Sequence, residues 1–331
     1  MKYLVTGSAG HLGEALCRTL LELGYEVVGL DILESPYTTT VGSITERLIT
    51  VACMRGVDGV LHAATLHKPH VATHSRQEFV DTNITGTLSL LEAAAAVGVR
   101  SFVYTSTTSV FGDALIPPAG SPAAWITEDV TPVPRNIYGL TKSAAEDLCQ
   151  LFWRNRKLAC VVLRTSRFFP EEDDSAAVRE TFSDENVKAN EYLYRRVDIE
   201  DVVSAHLLAA ERAPELSRDL GLRKYIVSAT TPFRREDLQR LRDDAAAVVG
   251  ERVPEYEAVY GERGWKMFAG IDRVYVNERA QTELGWQPRY DFRRVIECLR
   301  SGEDFRSPLA RAVGSKGYHD EVFAHGPYPV E

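Results

Sequence analysis

Lys2-Tyr3-Leu4-Val5-Thr6-Gly7-Ser8-Ala9-Gly10-His11-Leu12-Gly13 is the stretch whose reading decides the fold. Residues 2–6 form an apolar run short enough for a buried strand, and the apolar pattern resumes as a helix to Leu23. Between them Gly7, Gly10 and Gly13 are spaced G-x-x-G-x-x-G. Glycines at a strand-to-helix turn let the backbone approach a pyrophosphate closely. The helix N-terminus then presents free N–H groups and a partial positive charge to it. Glu26-Val27-Val28-Gly29-Leu30-Asp31 reads as the second strand, ending in an acid 18 residues after Gly13. A carboxylate there accepts hydrogen bonds from ribose hydroxyls and repels a 2′-phosphate. The following residues offer no Arg or Lys, so the reading is NAD rather than NADP, against the plainer reading of Asp31 as a strand-end turn residue.

Working outward, Thr38–Val41 predicts a short third strand, and Val57–Ala64 a fourth that ends in small residues across which a cofactor can lie. His67, His70 and His74 suggest a metal set, but Pro69 interrupts any regular helix face, so no metal is assigned. A polar substrate loop and a plain solvated loop remain. A helix is expected from Glu78 to Val97, then a fifth strand, Ser101–Ser106, running into the hydroxyl-rich Thr107-Thr108-Ser109. Residues 113–135, rich in Pro and Gly and without period, read as a loop. It leads to Tyr138-Gly139-Leu140-Thr141-Lys142, whose spacing places a phenol and an ammonium one turn apart on a helix face. A fixed positive charge favours the phenolate, so Lys142 is expected to lower the Tyr138 pKa. Such a pair can move a proton on or off a sugar or alcohol hydroxyl.

At 331 residues the chain can bury a large core, as one domain or two fused units. A net charge of −9 argues against a general nucleic-acid or anionic-membrane surface, and no apolar segment reaches membrane length. Five scattered cysteines with no C-x-x-C read as reduced, packed thiols in a cytoplasmic protein.

Taken together, T-G-S-A-G-H-L-G (6–13), Asp31, V-G-S-I-T-E (41–46), L-H-A-A (61–64), N-I-T-G-T (83–87), T-S-T-T-S-V-F-G (105–112), Y-G-L-T-K (138–142), R-R-V-D-I-E-D-V-V (195–203) and L-G-W-Q-P (284–288) resemble the extended short-chain dehydrogenase/reductase family, the NAD-dependent sugar epimerases and dehydratases. The resemblance implies an α/β fold, a doubly wound parallel (Rossmann-type) sheet with a smaller C-terminal substrate lobe. Residues 1–165 would bind NAD, joined by a strand and helix from about 198–230. Residues 166–331 would be mostly lobe and tail. It implies Tyr138 as catalytic base and acid, Lys142 on the nicotinamide ribose, and Thr107 on the reacting oxygen, with Ser106 the alternative if the loop shifts by one. Gly7, Gly10, His11, Leu12, Gly13, Asp31, Ile32, Ser43, Ile44, Ala63, Ala64 and Asn83 would join Tyr138 and Lys142 around the cofactor. Thr107, Thr108, Arg167 and Arg196 would meet a carbohydrate substrate. A homodimer formed through helices 83–97 and 138–154 is also implied.

The dehydratases of the family carry an Asp–Glu pair after this Thr, and the decarboxylases a Glu two residues on. Thr108 and Ser109 stand there instead and cannot shuttle a proton near neutral pH. Two enzymatic readings remain: a nucleotide-sugar 4-epimerase, and an NAD-dependent dehydrogenase of a sugar, polyol or sugar acid. A non-catalytic NAD-binding protein is the third, which an intact Thr107, Tyr138 and Lys142 argues against. Arg167 replaces the Asn expected near a sugar-nucleotide diphosphate. It reads either as a bidentate anion ligand or as an anchor for Glu171-Glu172-Asp173-Asp174. The diphosphate-clasping Arg of the family falls at Tyr194, where a shift of one or two residues brings in Arg195 or Arg196. Phe233–Val249 is expected to be one helix, and residues 302–331 a tail that wraps the lobe, covers the site or reaches a second subunit.

Overall fold

The computed structural model describes residues 1–173 and 175–317, so Asp174 of the acidic run and residues 318–331 of the tail lie outside the described residues. The strands are β1 (Lys2–Thr6), β2 (Glu26–Asp31), β3 (Thr40–Val41), β4 (Gly59–His62), β5 (Ser101–Thr107), β6 (Ala124–Ile126), β7 (Cys160–Thr165), β8 (Arg223–Val227) and β9 (Arg273–Tyr275). Seven of them form one parallel sheet in the order β3-β2-β1-β4-β5-β7-β8. The strands alternate within it. Tyr3, Val5, Val103, Val161 and Leu163 face the helices His11–Glu22 and Ile199–Asp219 on one side. Leu4, Phe102, Tyr104, Cys160 and Val162 face Arg47–Cys53, Thr87–Val97 and Ile137–Arg156 on the other. A sheet covered on both faces buries nearly all the side chains of its central strands, so these read as continuous apolar runs. The order reverses between β1 and β4, and the crevice there, beyond the strands' C-terminal ends, is where such sheets take ligands.

A separate apolar cluster holds the C-terminal lobe together, with Tyr192, Leu241, Val248, Tyr260 and Phe292 at its centre. All five cysteines are buried and unpaired. Among the described residues, no helix is long and apolar enough to cross a membrane.

Three expectations change. The helix around Asn83 is continuous from Arg76 to Val97 but widens to a π-helical turn over Val80–Gly86. The expected single helix Phe233–Val249 breaks into Leu238–Asp243 and Ala245–Arg252, because the Asp244 side chain accepts the Ala247 N–H as an N-cap. The aperiodic 113–135 segment contains β6, which pairs with β9 across the lobe. Three residues are too few to show a period.

Candidate active site

One cleft of about 1280 Å³ runs along the C-terminal edge of the sheet. At one end lies the glycine turn. Gly7 has φ +75, and a Cβ on it would fall 2.8 Å from the Ala64 nitrogen; a Cβ on Gly13 would fall 1.8 Å from the Gly7 oxygen. Both positions are therefore closed to any side chain. The helix that follows has Gly10 at its N-cap and no side-chain cap, leaving its first-turn N–H groups directed at the cleft mouth. Those uncapped donors and the absent Cβ atoms make a cradle of the shape and polarity that a pyrophosphate fits. Asp31 is held by two backbone N–H groups, Ala9 to Oδ2 at 3.0 Å and Leu33 to Oδ1 at 3.0 Å. Each oxygen keeps a lone pair for a hydroxyl. Leu12, Ile32, Ser43, Ile44, Ala63 and Ala64 line the same end.

Tyr138, Thr107 and Lys142 come together midway along the cleft. Asn136 starts the helix that carries two of them by accepting the Gly139 N–H at 3.0 Å. The Tyr138 phenol hydrogen-bonds Thr107, which favours the phenolate, yet burial prevails and pushes its pKa up to about 12. Burial also brings Lys142 down to about 7, opposed by the Glu146 carboxylate one turn on. The Lys142 ammonium donates to the Thr105 carbonyl at 2.6 Å and sits 4.3 Å from the centre of the Tyr104 ring. Lys142 does not figure among the groups that shift Tyr138; its contacts are Thr105 and Tyr104, and the group that acts on the phenol is Thr107. Ser106 also borders the cleft, but its hydroxyl is bound to Glu146 at 2.6 Å, so Thr107 is the hydroxyl at the phenol. Glu146 in turn holds Arg164 at 3.0 and 2.7 Å and Lys224 at 2.8 Å, tying the helix to β7 and β8.

Two candidate residues lie behind the cleft wall. Asn83 is 2 % exposed and spends its amide on Thr65, Leu66 and Thr141, joining the loop after β4 to the catalytic helix. It does not border the cleft, because both ends of the amide are committed. Arg196 turns to Glu191 at 2.8 Å and to the Phe169 carbonyl at 3.1 Å, while its neighbour Arg195 borders the cleft. Thr108 and Arg167 border it too. Arg167 reaches Asp173 at 3.2 Å and the carbonyls of Glu171 and Glu172, so its fork also anchors the acidic loop. Glu191, buried among Arg196, Arg195 and Arg167, is held down to about 2 despite its burial.

Of the two readings left open for the histidine loop, the cleft-lining one matches the structure, while His62, Arg273 and Tyr275 escaped the sequence reading. His67, His70 and His74 border the cleft, and the His67 ring lies 6.2 Å from the Tyr138 ring. The His67 main-chain N–H donates to His70 Nδ1 at 2.8 Å. Among the described residues no group of three His, Cys, Asp or Glu side chains could hold a metal. Buried His62 bridges Thr6, 2.7 Å from Nδ1, and Thr87, 3.0 Å from Nε2. Thr87 donates its own proton to the Asn83 carbonyl, so His62 Nε2 carries the hydrogen and Nδ1 accepts from Thr6. A histidine ending an apolar strand was the available signal. Arg273 and Tyr275 of β9 complete the far end of the cleft. They lie over 130 residues beyond the catalytic helix's start, where no local pattern connects them.

A doubly wound parallel sheet with a glycine turn shaped for a pyrophosphate, an acid ending the second strand and a Tyr–Lys helix fits a nicotinamide dinucleotide. The comparisons agree with it and narrow the class. The profile of the NAD dependent epimerase/dehydratase family matches residues 3–219, and the chain belongs to that family. It is 31% identical over 334 residues to a UDP-glucose 4-epimerase of Corynebacterium glutamicum, covering 90% of this chain and 94% of that protein. Identity to a UDP-glucose 4-epimerase of Rhizobium meliloti is 27% over 327 residues, with 89% and 94% covered. In structure it is similar to a short-chain dehydrogenase/reductase superfamily protein from Agrobacterium tumefaciens with bound NAD. The TM-score is 0.64 at 22% identity, with 94% of this chain and 97% of that one covered. The chain is thus an NAD-dependent enzyme of the epimerase/dehydratase type.

Proposed function

We propose that the enzyme is a nucleotide-sugar 4-epimerase that works through Thr107, Tyr138 and Lys142. The observation that carries this reading is the continuity of the cleft. It leads from the glycine cradle past Tyr138 and Thr107 to Arg195 and Arg273, leaving a cationic end for a second, anionic ligand. The full-length likeness to UDP-glucose 4-epimerases supports it. Tyr138 takes the proton of the sugar hydroxyl and returns it, while Thr107 holds the reacting oxygen by a hydrogen bond. Bound NAD supplies the hydride acceptor and, through its cationic ring, a charge that favours the phenolate. Lys142, buried on the same helix face and bound to the Thr105 carbonyl, would hold the nicotinamide ribose. Proton and hydride both return, so no cofactor is consumed.

One observation favours the second reading, a dehydrogenase of a smaller sugar, polyol or sugar acid. Asp173 binds both Arg167, at 3.2 Å, and Arg195, at 2.8 Å, drawing charge away from a diphosphate. Proton NMR of UDP-glucose or UDP-galactose incubated with the enzyme and NAD separates the two. Appearance of the C4 epimer without net absorbance at 340 nm supports the epimerase. Stoichiometric NADH from a free sugar supports the alternative, and the absence of both results refutes both readings. Leu140 and Leu151, on one face of the Ile137–Arg156 helix, and Val97 are exposed, which supports a homodimer through these helices.

A further inference from the structure

The strongest feature outside the catalytic trio is the short segment Gly314–Gly317. Residues 308–313 form a helix capped by Ser307, whose hydroxyl accepts the Ala310 N–H at 2.9 Å. The Ser307 N–H is itself donated to buried Asp198 at 3.0 Å, and Val313 is buried in the core cluster shared with the first helix. The segment therefore leaves a firmly rooted base. From there it crosses the N-terminal end of the His11–Glu22 helix, directly at the glycine cradle. The Lys316 N–H donates to His11 Nε2 at 3.0 Å, and the Lys316 ammonium pairs with Glu14. Ser315 Oγ donates to Glu171 Oε1 at 2.8 Å, on the acidic loop of the substrate side. Glu171 also lies 3.2 Å from His11 Nε2. Lys316 and Gly317 border the cleft alongside Gly10 and His11.

We propose that Ser315, Lys316 and Gly317 form the outer wall of the dinucleotide site, a strap that spans from the first helix to the acidic loop and closes over bound NAD. The Lys316 charge is committed to Glu14, so its work is to hold the strap shut and not to bind phosphate. Glu14 is 5 % exposed and receives Arg18 as well, at 2.8 Å, which gives the latch a fixed, partly desolvated anchor. A ligand seated on the cradle then leaves only after Ser315–Glu171, Lys316–Glu14 and Lys316–His11 have parted. Cofactor release is gated by contacts 144 to 305 residues apart in sequence, and the strap is a device for retaining the bound dinucleotide. The inference rests on the dinucleotide site alone and is independent of whether the substrate is a nucleotide sugar.

The test is the rate at which bound NADH, followed by its fluorescence, is displaced by excess NAD in the full-length protein. The parent is compared with Ser315→Ala/Lys316→Ala. Losing an ion pair and a charge-assisted hydrogen bond from the closed state accelerates release about tenfold or more. Release within about twofold of the parent overturns the strap while leaving the site intact. A parent that binds no NADH overturns the strap together with the site. Thermal melting establishes that the double variant is folded, and Ser315→Ala alone, a smaller change, serves if it is not. Slower amide exchange over residues 314–317 on adding NADH supports the closed wall without reference to activity, and unchanged exchange overturns it.

Discussion

Replacing Lys142 with Met should make the cofactor-free protein more stable while removing its chemistry. The ammonium is 2 % exposed, and burial lowers its pKa from 10.5 to about 7. At about 1.4 kcal/mol per unit, that shift is a cost of roughly 5 kcal/mol for keeping the group charged in the folded state. Between pH 7 and 10.5 the unfolded chain binds more protons than the folded one, so the protein gains stability as pH rises through that window. The cost is fully present below about pH 7 and gone above 10.5. Met fills a similar volume without charge. It leaves the Thr105 carbonyl without its 2.6 Å donor, which returns about 1–2 kcal/mol of the gain. A net stabilisation of about 3 kcal/mol near pH 7 is expected, together with a flatter dependence of stability on pH. Urea unfolding of both proteins at several values between pH 6.5 and 10 measures both quantities. A Lys142→Met protein that is less stable at pH 7, or that keeps the parent's slope, would refute the argument that desolvation governs this residue.

Tyr138→Phe should lose about 10²–10⁴ in turnover, because the phenol is the proposed proton acceptor, yet bind NADH as tightly as the parent; loss of binding in titrations would assign Tyr138 a different role. Gly13→Ala should abolish or strongly weaken dinucleotide binding by calorimetry, since its Cβ would lie 1.8 Å from the Gly7 oxygen and must displace the cradle; unchanged affinity would show that the turn does not hold the cofactor. His62, lowered to about 3 by burial, should show the neutral Nε2–H tautomer in nitrogen-detected NMR down to pH 5. Below its unfolded value near 6.5 the protein loses stability as pH falls towards 3, because only the unfolded chain readily binds that proton. An imidazolium signal from His62 at pH 5 would contradict the hydrogen-bond chain through Thr6 and Thr87.

Local chemistry made much of this molecule legible before any coordinates. The glycine turn of residues 7–13 can serve only a backbone close to its neighbours, and both Gly7 and Gly13 prove closed to a Cβ. Short buried strands of a doubly covered sheet show themselves as apolar runs, so β1, β2, β4 and β5 could be read within a few residues. Tyr138 and Lys142 share a helix, and their proximity follows from helical spacing. Two site features were legible by residue type but not by direction: Asn83 turns inward to Thr65, Leu66 and Thr141, and Arg196 turns to Glu191, leaving Arg195 at the cleft.

The amino-acid order alone made the strands, the glycine turn and the Tyr138–Lys142 pair legible, because a buried strand, a strand-to-helix turn and a four-residue helical spacing are each written in a few consecutive residues. Tertiary structure decided the electrostatics and the walls. Desolvation, which no spacing reveals, raises Tyr138 to about 12 and lowers Lys142 to about 7, while the neighbour that acts on the phenol is Thr107 on β5. Arg273 and Tyr275 reach the cleft on a three-residue strand, and Lys316 reaches His11 from the far end of the described chain. Such meetings are set by how the lobe and the last helix pack, and packing over hundreds of residues leaves no period to read.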